Sequence, residues 1–210
     1  MAKKNLEISL VSLSLASTGT TRKAETTHAV TAALVWPRVT IARRETAQSC
    51  TLAKGRADLS GAPWHETILF KETVDGRVAL RVEVTEPLSA LQLDSFLRTF
   101  AGILLKDVGT VFDKSDLLMG GVLSALFSTA SKKTGTAPAT AIVAAGTVSL
   151  DLADLHDGDE VDIPLTAPRA LVESRSESSP NDRGRVRTSK TLLRKDAANG
   201  TVRVRIRIVG

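Results

Sequence analysis

The residues whose types could do chemistry are few. His28, His65 and His156 are the three histidines, Cys50 is the one cysteine, and Asp151, Asp154, Asp157, Asp159, Glu160 and Asp162 form the one acidic concentration. A zinc site draws its ligands from clustered cysteines and histidines. These histidines are far apart in sequence, and a lone Cys50 supplies no cluster and no disulfide partner. The acidic run lacks the register of a calcium-binding hand, which places oxygen ligands at fixed alternate positions. It reads as a solvated turn. The sequence holds no nucleophile elbow, phosphate-cradling glycine loop or dinucleotide fingerprint. No catalytic, cofactor-binding or metal-ligating residue is therefore assigned, and the chain is expected to be non-catalytic.

The basic residues are patterned more sharply. Arg203, Arg205 and Arg207 alternate with Val202, Val204, Ile206 and Ile208, which puts three guanidinium groups on one face of a strand. Arg81 and the group Arg38, Arg43 and Arg44 are candidate neighbours. A net charge of +5 favours anionic partners, and such a face could meet anionic lipid headgroups. Equally, charges along a half-exposed strand can simply be solvated and deter edge-to-edge aggregation. Nucleic acid is not expected as a partner, because no aromatic side chains interleave with the arginines for base stacking. Phe96, Phe100 and Leu104, on an apolar stretch with helical spacing, read first as cover for one face of the sheet, with contact to a partner protein or a membrane as the alternative.

The elements that must position these residues are mostly strands. A chain of 210 residues fits one domain, residues 1–210, and with 3% aromatic content and no tyrosine its core must be aliphatic. Residues 63–70 and 78–84 read as two antiparallel strands joined by a turn at Asp75 and Gly76. Leu6, Ile8 and Leu10 alternate, then the apolar parity shifts to Leu13 and Leu15, which predicts a bulge near Val11 and Ser12. Strands are also expected over 29–35, 39–42, 48–53, 141–152, 161–165 and 202–208. Residues 88–105 have helical periodicity, with Asp94 or Ser95 as the expected cap, and 117–127 form a second, weaker helix. The two make a helical insertion at about 88–130. Residues 174–190 read as a long exposed loop.

With these pieces in order, the chain resembles the C2 domain family. The likeness is carried by Trp64, Glu66, Ile68 and Phe70, similar to that family's W-x-E-x-F-x-F strand, by 80–84 as the next strand, by 146–152, and by 161–165 and 200–208 as closing strands. It implies an antiparallel β-sandwich with the helical insertion riding outside. Calcium-dependent members carry aspartates in two loops, whereas residues 17–27 offer only Glu25 and 85–88 only Glu86. The implied type is calcium-independent. The expected function is an adaptor or targeting module docking on a partner protein or an anionic membrane surface. A structural subunit assembling through sheet edges and the helical insertion is the alternative. Serines at 9, 12 and 14 interrupt the apolar stretch that could pass for a leader, and no apolar run reaches about 18 residues, so a cytoplasmic location, peripheral at a membrane at most, is expected.

Overall fold

The computed structural model describes residues 3–19, 24–36, 42–106, 142–177 and 186–209. In chain order its elements are β1 (Lys4–Leu15), β2 (Glu25–Trp36), β3 (Ala42–Ala53), β4 (Arg56–Asp58), α1 (Trp64–Thr67), β5 (Ile68–Val74), β6 (Arg77–Thr85), α2 (Ala90–Lys106), β7 (Ile142–Asp151), β8 (Asp159–Thr166), β9 (Leu171–Glu177), β10 (Val186–Leu193) and β11 (Ala198–Val209). The chain is mainly β, as its alternation predicts.

The sheet is closed, and this overturns the expected sandwich. Its strands run β11-β8-β7-β6-β2-β3-β4-β1-β5, and β11 also pairs with β1, from Asn5 opposite Val209 to Leu15 opposite Gly200. The ring is an eight-strand antiparallel barrel, because β4 and β5 share one side of β1 and act as one interrupted strand. A sandwich and a barrel make the same demand on each strand, an apolar face every second residue. They differ only in whether the first and last strands meet. Here they do, and the ladder bulges between Leu10 and Ser12, where the parity shift places it.

The interior is filled by the barrel's own side chains. Leu6, Ile8 and Leu13 from β1, Val30 and Leu34 from β2, Leu80 and Val82 from β6, Ile163 and Leu165 from β8, and Val202, Val204 and Ile206 from β11 are all buried in one cluster. Each such side chain contributes about 1.5–3 kcal/mol by leaving water. Asn199 ties one end of the barrel: its Nδ2 donates to the carbonyls of Val143 (2.8 Å) and Ser17 (3.0 Å), while Oδ1 accepts from the Ser17 amide (2.8 Å). Next to it Gly200 has φ +128°, where a Cβ would collide with the Ser14 backbone.

Several local expectations are corrected. The strands at 68–74 and 77–85 do not pair with each other: β5 lies against β1, and β6 lies between β2 and β7. The turn at Asp75 and Gly76 crosses the barrel end instead of closing a hairpin. Residues 64–67 are a helical turn, not strand. Residues 42–53 form one strand where two short ones are expected. The 174–190 loop is largely a hairpin, β9 with β10, from Val186 opposite Glu177 to Leu193 opposite Leu171. Of the helical insertion, α2 is present to Lys106; the second helix at 117–127 lies outside the described residues. Its cap is Ser89: the Ser89 amide donates to Gln92 Oε1 (2.9 Å), and Ser89 Oγ faces the Gln92 amide (3.4 Å), a reciprocal capping box. Asp94 is instead inside the helix and pairs with Arg98.

Candidate functional site

Among the described residues the barrel interior is packed with aliphatic side chains, and most of the candidate contact residues are on the outer wall. Two stretches of that wall hold the predicted residues, and the strand order puts them on opposite sides of the ring.

On the first stretch, alternation along β11 sends Arg203, Arg205 and Arg207 outward. The neighbouring strands set acids beside them: Arg203 is in register with Asp162 and Arg205 with Glu160 on β8, and Arg207 with Glu7 on β1. Arg203 makes a fork to Asp162, Nε to Oδ1 at 2.6 Å and Nη2 to Oδ2 at 2.9 Å. Arg205 Nη2 donates to Glu160 Oε1 at 2.6 Å, and Arg207 Nη1 lies 3.6 Å from Glu7 Oε1. The Arg203 hydrogen bond holds the Asp162 carboxyl below its ordinary range, and the Asp162 carboxylate raises Arg203 in return. The basic stripe expected from the sequence is thus a ladder of ion pairs.

Glu7 has a second partner. The indole Nε1 of Trp64 donates to Glu7 Oε1 at 2.9 Å, which fixes the ring against β1 while 53% of the residue stays exposed. A large aromatic side chain held open to solvent on a helical turn departs from the strand expected over residues 63–70. The signal that could have found it is Pro63, which suits the entry of a helical turn.

The second stretch is the outer face of β3, β2 and β6 beneath α2. Phe96 and Phe100, one helical turn apart with ring centroids at 6.2 Å, cover Ala29 together with Leu88, Leu93, Leu97, Ala47 and Ile142. The small residues Ala29, Ala33 and Ala47 let the helix approach the sheet. Of the two readings for Phe96 and Phe100, the structure takes the one in which they cover their own sheet. Leu104 falls on α2, but its side chain lies outside the described residues, as does all of Arg38.

Arg81 and Arg43 share this wall, since Arg81 is in register with Ala33, and Arg43 with Val35. Each again has an acid two residues on: Arg43 pairs with Glu45, and Arg81 with Glu83. Arg44, the next residue along β3, turns to the other face and meets Glu72 at 3.2 Å. Arg43, Arg44 and Arg81, grouped from sequence with the β11 stripe, do not join it. Glu83 is unusual. Its side chain is 3% exposed, and two Arg81 nitrogens converge on one oxygen, Oε1, at 2.8 Å from Nε and 2.7 Å from Nη2. Oε2 is buried and accepts no hydrogen bond among the described residues. Leaving such an acceptor unsatisfied costs about 1–3 kcal/mol.

The other chemistry-bearing residues have structural partners. His28 is fully buried inside the barrel, its Nδ1–H donating to the Thr85 carbonyl (2.7 Å) and its Nε2 accepting from the Thr26 hydroxyl (2.8 Å). Burial pushes its pKa below the ordinary 6.5, so it is neutral. Cys50, opposite it on β3, is buried, and its thiol is pushed up to about 11, unreactive at neutral pH. Within the acidic run, Asp151 caps the Ala153 amide and pairs with Arg77, Asp157 accepts from the Ile208 amide, and Asp159 from the His156 amide. Among the described residues no three His, Cys, Asp or Glu side chains converge as metal ligands, and no helix is long and apolar enough to cross a membrane. Compared with protein-family models and with curated proteins, the chain matches none.

Proposed function

We propose that the protein is a non-catalytic docking module that binds a partner protein, without calcium, through its outer wall. Trp64 carries this reading. Aromatic and arginine side chains dominate the energetics of protein interfaces, above all when they need no ordering on binding. Trp64 is open to solvent, already fixed by Glu7, and stands beside Arg207. The filled interior supports a scaffold role for the barrel. The ion pairs along β11 favour a protein partner over an anionic membrane surface, because Asp162, Glu160 and Glu7 offset the charge that headgroups would need. Assembly through sheet edges is disfavoured by closure, which uses β1 and β11 on each other.

The test is affinity purification of the tagged chain with Trp64 intact and as Trp64→Ala, followed by direct titration of the retained protein. A hot-spot tryptophan loses at least about 2 kcal/mol, roughly thirtyfold in affinity. Equal retention by both forms would refute the reading. Flotation with anionic vesicles, binding at low salt and releasing at high salt, would shift the assignment to the membrane surface.

A further inference from the structure

Beside Phe100, the outer wall of β2 and β6 dips into a small cleft lined by Thr31, Ala32, Ala33, Glu45, Arg81, Glu83 and Phe100, with a volume of about 10 Å³. That holds one water-sized group and no more. Three features of the lining bear on which group. Glu83 Oε2 is a buried acceptor with no donor among the described residues, since Arg81 Nε and Nη2 both turn to Oε1. Both carboxylates of the lining are ion-paired, Glu83 with Arg81 and Glu45 with Arg43 from outside the lining, so the unmet oxygen Oε2 is what distinguishes the cleft. The Phe100 ring adds an aromatic surface, which attracts cations.

From this we infer that the cleft is a socket for a primary alkylammonium group, the chemistry of a lysine side chain, with Glu83 as its anchor. An ammonium nitrogen is the size of a water and has three protons to donate. One goes to Glu83 Oε2 as a charge-assisted hydrogen bond, at the carboxylate oxygen that Arg81 leaves unmet. A guanidinium or a trimethylammonium is too large for the volume, and a neutral hydroxyl gives Oε2 only the weaker, uncharged hydrogen bond. The socket lies on the side of the barrel opposite the Trp64 wall and stands whether or not Trp64 docks a partner.

The experiment is a titration of the full chain with methylammonium, followed by NMR of Thr31, Ala33 and Phe100, with methanol as the neutral control of similar size. Saturable shifts at these residues with methylammonium, and none with methanol, are expected. Glu83→Gln keeps the side chain's shape and removes its charge, and it should weaken the response about tenfold or more. Should that variant not fold, Ala33→Val, which fills the cleft from the sheet side, should abolish the response in a protein whose circular dichroism is unchanged. Equal shifts with methanol would mean that the cleft holds only water and would overturn the proposal. So would the absence of saturation, or a full response in Ala33→Val.

Discussion

The two walls of the barrel use the same residue types to opposite ends. Along β11, Arg203 and Asp162 meet in the open, with side chains about half exposed, and only Glu7, the partner of Arg207, is buried. Under α2, the wall is built of alanines, and the one strongly buried acid, Glu83, sits beneath the rim of a helix. Exposed pairs gain little, because solvent screens them and ordering two long side chains costs entropy. A buried carboxylate is a different object, since every unmet hydrogen-bonding site on it is a free-energy cost. The comparison teaches that a stripe of arginines is not by itself a docking surface. The wall worth probing for a partner is the one where an aromatic side chain stands exposed and fixed.

The largest effect that would sharpen this contrast comes from Phe96→Ala. It removes the ring that covers Ala29 and should lower the unfolding free energy by about 3 kcal/mol in urea denaturation. Ala29→Leu tests the same wall from the sheet side. If small residues on β2 are what admit the helix, overpacking there costs about 2 kcal/mol; an unchanged midpoint would break the account of how α2 seats.

Acid should separate the walls by pH. His28, on the inner face of β2, has a folded pKa below its ordinary 6.5, so the unfolded chain binds a proton that the folded one refuses. Its contribution is complete above about 6.5 and is lost as pH falls below that value. Stability measured from pH 7.5 to 5.5 should therefore decline, and His28→Gln should flatten that decline. Asp162, on the other wall, is also depressed, so its contribution persists above its ordinary 3.8 and fades only in stronger acid. The smallest effect is expected for Arg203→Ala, which should barely move the urea midpoint at neutral pH. A large loss there would show that the exposed ladder matters to the fold and would erase the distinction between the walls.

Much of the strand content was legible because alternation is local. Val202, Val204 and Ile206 face inward and Arg203, Arg205 and Arg207 outward, as the pattern requires. The bulge in β1 was legible for the same reason, since a parity slip is visible within a few residues. The strand partners were not. Gly76 reads as a hairpin turn because the residues around it suit one, yet β5 and β6 join different neighbours. The β9 and β10 hairpin was missed because a composition rich in Ser, Arg and Glu does not announce strands. The Trp64 site was missed because its anchor, Glu7, lies 57 positions earlier in the chain.

By itself, then, the sequence determined which side chains of β1, β6 and β11 point to a common interior, that this interior is aliphatic, and that residues near 90–105 form a helix with an apolar face. Each of these follows from a period of two or near 3.6 residues, set by backbone geometry within one segment. Only the tertiary structure decided that the sheet closes, that each arginine of β11 meets an acid from another strand, and that Glu83 ends beneath Phe100. Those outcomes depend on register between segments far apart in the chain, and the free energy that selects a register comes from packing the whole barrel at once.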